Sequence, residues 1–511
     1  MNCSLLAPFA ALLAFSACAY EGPNFSATVW RGETAYVQVP DNLVGELEAE
    51  EDDDRGLTNR IDGVALKLLD VRAIPYTTRL HGAQLGFRYD WVGEPCHSTF
   101  GGPCLAATRR SALCQIDAAV TAKPGTYAVG PLEVRVLDRV LPPPAEWHYY
   151  LDLWQHPWAT ARYFCSEPFS EDHFEDMADV MKTLAACGQK VLTTTLLDLP
   201  WNHQCYDAYH SMIGRVKKAD GTWVFDYTVF DKYVTFGRSC GIGPDIACYT
   251  MCPWGYVVRW QDEKGETQRA VAKPGTPVFD DYWGDFLVDF TKHLKEKGWF
   301  ANTYIAMDER SPEDVRYIAH FIQQKAPGLK ISLAGNRKPS DFKGITIDAY
   351  SQVLQDVSPE YLQELSVRRE QGYKTTFYVC CAPAKPNTFM TSENDEAFWL
   401  GAYPALSGFD GFLRWAANSW PEDPYIDAAF GNWAPGDTFL VYPDGSPSAR
   451  LIALRAGIVA AEKARILQDG DDTVKAKLQD LNRKYSFDKA LKGAFDPSAA
   501  RREIEALVNK R

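Results

Sequence analysis

The chain reads as an α/β protein: a (β/α)8 TIM barrel with an N-terminal antiparallel β-sandwich domain and a C-terminal helical tail. Three observations carry that reading. From residue 146 to about residue 415, eight short apolar runs alternate with amphipathic helical stretches, which is the grammar of a parallel barrel. Before them, residues 24–142 hold strand-like runs with no helical period. The fourth apolar run of the barrel region stops at two adjacent carboxylates, Asp308 and Glu309, just where helix signals begin.

The N-terminus has the form of an export signal over residues 1–19. Residues 5–15 are apolar but too few to span a bilayer, and Ser16-Ala17-Cys18 is followed by polar residues. The small residues before Cys18 resemble a bacterial lipobox, in which the cysteine is lipidated and tethers the mature chain to a membrane. Two features depart from that pattern: Phe15 stands where Leu is usual, and Met1-Asn2-Cys3-Ser4 has no Lys or Arg. The expected location is periplasmic, or anchored as a lipoprotein at the outer membrane of a bacterium.

In the sandwich region, Ala27-Thr-Val-Trp and Thr34-Ala-Tyr-Val-Gln-Val flank a turn at Arg31-Gly32, and further short runs include Val64-Ala-Leu-Lys-Leu-Leu and Leu132-Glu-Val-Arg-Val-Leu. Gly, Pro and Asp punctuate them, as expected for an antiparallel sandwich. The acidic run 48–54 reads as a solvated loop, and Leu141-Pro-Pro-Pro as a stiff linker. Export permits disulfides. Cys96 and Cys104 flank a Gly-Gly-Pro turn, with Cys114 near, so one bridge is expected there.

The catalytic barrel is expected over residues 146–435. Its strand candidates are residues 148–154, 190–197, 245–251, 300–308, 330–335, 344–350, 373–380 and 411–415. Helices are expected at 171–186, capped by Ser170, at 229–238 and at 281–297. Long loops after the second and third strands belong on the face where barrel active sites lie. The tail, residues 436–511, reads as helices at 448–468, 473–484 and 498–510, packed on the barrel.

Charge and motifs narrow the chemistry. The net charge of −14 argues against a nucleic-acid partner. There is no Gly-rich phosphate loop, no nucleophile elbow and no metal-ligand spacing, so neither a metal nor any other cofactor is expected. The acidic pair ends a strand and is followed by Ser311 as N-cap and Pro312 at the first helical position. Successive strand side chains point to opposite faces, so both carboxylates reach one site only if the backbone already leaves the strand there. A neighbouring carboxylate raises a carboxyl pKa, which suits a proton donor.

The chain is also rich in aromatics, with 15 Trp and 25 Tyr. Trp154, Trp158, Trp201, Trp254, Trp415, Trp420 and Trp433 fall at strand ends or in the loops after them. A Trp face suits the C–H face of a sugar ring; core packing is the alternative for each. His156, Asp198, Tyr350 and Asn418 are polar candidates at strand ends for sugar hydroxyls or an amide.

At these residues the chain resembles glycoside hydrolase family 123, the β-N-acetylgalactosaminidases. The likeness runs through Tyr127-Ala-Val-Gly-Pro-Leu, Leu151-Asp-Leu-Trp-Gln-His-Pro, Met307-Asp-Glu, Gly411-Phe-Leu-Arg-Trp with Trp420, and Ser446-Pro-Ser-Ala-Arg-Leu-Ile-Ala-Leu-Arg. The resemblance implies a sandwich joined to a barrel and an exo-acting, retaining, substrate-assisted reaction. The substrate would be a glycan or glycolipid with a terminal 2-acetamido sugar. Glu309 would be the acid and base, and Asp308 would orient the acetamido group. Tyr350 would meet its oxygen, and Trp415 or Trp420 would close the pocket, with Trp154, Trp201, Asn418, His156 and Asp198 as further substrate contacts. Arg414 stands where an aromatic residue is expected; a cation there would suit an acidic neighbour sugar, or would pair with a structural carboxylate. The alternatives are the same chemistry on N-acetylglucosamine and a catalytically silent glycan-binding lipoprotein.

Overall fold

The computed structural model describes residues 25–39, 43, 63–78, 84–93, 111–129 and 131–510. The export segment with Cys18, the acidic run 48–54, Cys96 and Cys104 lie outside the described residues. Cys114, the remaining candidate for a bridge in that region, is a buried free thiol.

Seven strands build the N-terminal domain: β1 (Phe25–Arg31), β2 (Thr34–Val39), β3 (Val64–Thr78), β4 (Gln84–Gly93), β5 (Ser111–Ala118), β6 (Gly125–Val129) and β7 (Leu132–Val140). They form two sheets, β1-β7-β6 and β2-β5-β3-β4. Alternation along the strands turns Val29, Leu66, Leu68, Ile116, Leu132, Val134 and Val136 into one shared core. Gly32 makes the turn from β1 to β2 at φ +79°, where a Cβ would lie 2.4 Å from the Leu141 carbonyl oxygen. One pairing departs from the expected antiparallel pattern. β1 runs parallel to β7, with Phe25 opposite Leu132 and Trp30 opposite Leu137.

The barrel follows the expected order. Its elements are β8 (Tyr150–Leu153), α1 (Pro157–Phe164), α2 (Glu171–Ala186), β9 (Val191–Thr195), β10 (Gly214–Lys217), β11 (Trp223–Asp226), α3 (Thr228–Ser239) and β12 (Asp245–Tyr249). Then come β13 (Val257–Asp262), β14 (Thr267–Val271), α4 (Pro277–Glu296), β15 (Thr303–Asp308), α5 (Pro312–Lys325), β16 (Lys330–Gly335), β17 (Ala349–Val353), α6 (Pro359–Glu370), β18 (Lys374–Tyr378), α7 (Asn394–Ser407) and β19 (Gly411–Arg414). Eight of these strands make one parallel sheet in the order β8-β19-β18-β17-β16-β15-β12-β9. The ring closes between β8 and β9 through one bridge, Leu151 to Gln189, and the Lys190 N–H donates to the Leu151 carbonyl at 2.9 Å. Inward residues including Tyr150, Val191, Ala247, Tyr249, Tyr304 and Leu413 fill the interior around a cavity of about 20 Å³, room for a single water.

The strand expected at 344–350 sits further along the chain. β16 pairs with β17 from Ser332 opposite Ala349, and that register, not the local apolar pattern, sets where the sixth strand begins. The two long loops form a small sheet of their own, β11-β10-β13-β14, in which β10 pairs parallel with β13. The insertions after the second and third strands therefore brace each other.

The tail holds α8 (Ala449–Gln468), α9 (Asp472–Lys484), α10 (Phe487–Leu491) and α11 (Pro497–Val508). Ser448 caps α8, accepting from the Leu451 N–H. Ala449 and Ile452 of α8 share a core with Leu69, Val71, Val92 and Leu113 of the sandwich. Beside them, Arg450 holds Asp90 of β4 with both arms, Nε to Oδ1 at 2.8 Å and Nη2 to Oδ2 at 2.9 Å. Its Nη1 donates to the carbonyls of Thr388, Gly436 and Phe439, and Tyr442 donates to Asp90 at 2.7 Å. Burial pushes the Asp90 carboxyl up, but Arg450, Arg88 and Tyr442 outweigh it and hold the group below its ordinary value. Removing one partner of a buried pair leaves an uncompensated charge, which costs about 3–5 kcal/mol. Asp90→Ala is therefore expected to lower unfolding free energy by about that amount, read as a fall in urea midpoint; a midpoint within error of the parent would refute the role given to the pair.

Candidate active site

The acidic pair stands at the carboxyl end of β15, and the backbone parts there. Asp308 is the last strand residue, in register with Ala334 of β16, on the same face as Tyr304. Glu309 adopts φ +48°, a left-handed conformation that costs a non-glycine residue roughly 1–2 kcal/mol. Its N–H donates to the Ala334 carbonyl at 2.8 Å, so the sheet bond survives while the side chain leaves the strand's alternation. Arg310 Nε closes the corner on the Asp308 carbonyl at 2.8 Å, and its guanidinium lies 5.4 Å from the Trp254 ring centre. Ser311 then caps α5, with Pro312 in the first turn. Both carboxylates are half-buried.

Glu309 has a partner that the sequence reading missed. The Tyr378 hydroxyl, at the end of β18, donates to Glu309 Oε1 at 2.7 Å. The signal was present, since Tyr378 is an aromatic residue near the end of the seventh apolar run. Burial, then Glu309 and Asp308, push the Tyr378 hydroxyl far up, so it remains a neutral donor. Asp308 is pushed up to about 8 by burial and by Glu309, with Arg310 opposing. Near neutral pH it holds a proton in the free protein.

The other expected residues divide into two groups. Trp415, Trp254 and Trp433 stay half-buried near the mouth. Trp415 donates to Asp437 Oδ1 at 3.1 Å, and its ring lies 5.5 Å from that of Trp433. Asp198 is partly exposed. Burial raises its carboxyl, but His210 and the Ser211 N–H, which donates at 2.8 Å, outweigh that and hold it low.

The second group is internal, and its members serve packing. Tyr350 is 1% exposed and lies near the start of β17, not its end. Its hydroxyl is taken by the Arg337 carbonyl, so it does not reach the dyad as expected. His156 is buried as the N-cap of α1, with Nδ1 accepting from the Ala159 N–H, Nε2 3.1 Å from the Asp207 carbonyl, and its ring stacked on Tyr209. Asn418 bonds both the N–H and the carbonyl of His156. Trp420 is fully buried and donates to the Val441 carbonyl at 2.7 Å. Trp154 and Trp201 stack at 4.9 Å and pack against Tyr249. They floor the site rather than offer a free ring face. Among the described residues, the buried indole N–H groups of Trp201 and Trp254 have no protein acceptor. Arg414 is a structural cation: fully buried, it pairs with Asp437 at 2.6 Å and donates to the Val379 carbonyl and Asn387.

Comparison with known proteins adds three findings. Residues 154–467 match the family profile described as "Glycoside hydrolase 123, catalytic domain". The structure is similar to that of a family 123 glycoside hydrolase from Clostridium perfringens, solved in a study of glycolipid glycan hydrolysis, with TM-score 0.80 and 23% identity over 95% of this chain and 94% of that one. An exo-β-1,4-mannosidase, Op5Man5 from Opitutaceae bacterium strain TAV5, matches at TM-score 0.37 and 14% identity over 62% of this chain and 60% of that one. Comparison with curated proteins finds no match.

The raised Asp308 carboxyl has a consequence for stability. Unfolded, the group ionises near its ordinary value of 3.8; folded, it keeps its proton to about 8. The folded state thus binds the extra proton, and its stability falls as pH rises across that window. Asp308→Asn carries no such charge. Its melting temperature is expected to exceed the parent's by a margin that grows from pH 5 to pH 8, measured by calorimetry; a margin independent of pH would contradict the burial assigned to Asp308.

Proposed function

The chain belongs to glycoside hydrolase family 123, and we propose that it removes terminal β-linked N-acetylgalactosamine by a retaining, substrate-assisted reaction. The observation that carries this reading is the unequal placement of the two carboxylates. Asp308 stays on the strand, where burial and the neighbouring carboxylate raise its carboxyl. Glu309 is turned off the strand onto a neutral phenol.

The proton then has a path. A docked 2-acetamido group offers its N–H to Asp308, and a donor favours the carboxylate form. The proton that Asp308 releases arms Glu309. Glu309 protonates the leaving oxygen while the acetamido oxygen attacks the anomeric carbon, forming an oxazoline without an enzyme nucleophile, one of the exceptions to the two-carboxylate scheme. The Asp308 carboxylate faces the positive charge that develops. Glu309 then takes a proton from the incoming water. Tyr378 keeps Glu309 in place through both steps. The half-buried rings of Trp415 and Trp433 suit a sugar's C–H face. The likeness to an enzyme studied for glycolipid glycan hydrolysis supports a glycolipid terminus as substrate. Lipidation at Cys18 after export would hold the enzyme against such a surface.

Glu309→Gln is expected to lower kcat on an aryl β-N-acetylgalactosaminide by about 10²–10⁴-fold; near-parental turnover would sink the assignment. Replacing the N-acetyl group by its mono-, di- and trifluoro forms weakens the carbonyl nucleophile, so rates should fall in that order. An enzyme nucleophile would leave them nearly level. The Asp308 proton is lost as pH rises through about 8, so kcat/KM should fall above that value in a pH series. The matching N-acetylglucosaminide, run beside the first substrate, decides between the two sugars.

A further inference from the structure

We propose that Cys380 and Cys381 form a thiol–disulfide site at the rim of the dyad, closing to a vicinal disulfide ring on exchange with a small disulfide. The two sulfurs lie 3.9 Å apart. Cys381 is exposed and Cys380 half-buried, so one sulfur meets solvent and the other waits behind it. The loop is held for this. The Cys380 N–H donates to the Ala382 carbonyl at 3.1 Å, and Asn387 Nδ2 donates to the carbonyls of Cys380 and Pro383 at 3.0 and 2.7 Å. Asn387 in turn accepts from the buried Arg414 at 3.2 Å. The hydrogen bond from Cys380 lowers the Cys381 thiol to about 7 and raises Cys380, which makes Cys381 the attacking sulfur.

The exchange balances in two steps. The Cys381 thiolate attacks one sulfur of the small disulfide; that S–S bond breaks, and one thiolate leaves with the electron pair. Cys380 then loses its proton to solvent and attacks Cys381 Sγ, releasing the second thiol. The protein gives up two protons and two electrons, and the small disulfide becomes two thiols. Adjacent Cα atoms are only about 3.8 Å apart, below the usual span of a disulfide, so the ring is strained and readily reduced. It closes two residues from Tyr378, whose hydroxyl holds Glu309. Resting on the hydrolase reading above, ring closure is expected to lower turnover reversibly by roughly threefold or more.

The test uses the full chain, reduced and then exchanged into excess oxidised glutathione. Peptide mapping should show the Cys380–Cys381 peptide lighter by two hydrogens with no glutathione attached, and restored by dithiothreitol. Free thiols, or glutathione retained on Cys381, would overturn the site. Cys381→Ser should keep the reduced enzyme's turnover and lose its response to glutathione. A ring that forms while turnover on the aryl glycoside is unchanged would overturn the coupling to Glu309. If neither redox state hydrolyses any glycoside, the hydrolase reading fails while the mass result still decides the thiol site.

Discussion

The buried ion pair between Arg450 and Asp90 is the constraint on which the rest of the molecule depends. A guanidinium without water must find acceptors for its donors. Arg450 finds them on three separate segments: β4 of the sandwich, the loop carbonyl of Thr388, and the neighbouring loop carbonyls of Gly436 and Phe439. Those loops follow the seventh and eighth barrel strands. The same loops carry Asn387 and Asp437, which seat Arg414, and Asp437 also orients Trp415. One cation on a tail helix thereby sets the position of the sandwich and of one wall of the active face. Lys463 repeats the device further along α8, pairing with the buried Glu33 at 2.7 Å.

The acidic dyad relies on a different local solution. A strand cannot present neighbouring side chains to one side, and this chain resolves the conflict with a single left-handed residue. The roughly 1–2 kcal/mol of backbone strain at Glu309 is offset by its sheet hydrogen bond to Ala334 and by the contact with Tyr378. Strain at such a position is characteristic of sites where geometry matters more than stability.

Much of this was legible from local pattern. Ser170 and Ser311 cap the helices they were expected to cap, because capping is a matter of a few adjacent residues. The apolar runs of β9, β12, β15, β16 and β18 marked buried strands, and the departure of the chain after Asp308 could be reasoned from alternation alone. What escaped depended on distant partners. β1 lies parallel to β7 although about a hundred residues separate them. The start of β17 is dictated by Ser332 across the ladder, which moved Tyr350 from the rim into the wall. His156, Asn418 and Trp420 are polar or amphipathic residues at strand ends, as substrate contacts would be. Nothing in their immediate sequence shows that their polar atoms are used by Asp207, by one another and by Val441. Tyr378 was passed over for the converse reason: its role exists only because Glu309 swings toward it.

The clamp at Arg450 also orders events during synthesis. Asp90 emerges from the ribosome some 360 residues ahead of the arginine that compensates it. Until α8 arrives, a sandwich that tried to complete its core would bury Asp90 with only Arg88 of its own strand to answer the charge. The sandwich, made before the barrel, is thus secured only after it. The growing chain has a built-in reason to remain loosely organised until α8 is in place.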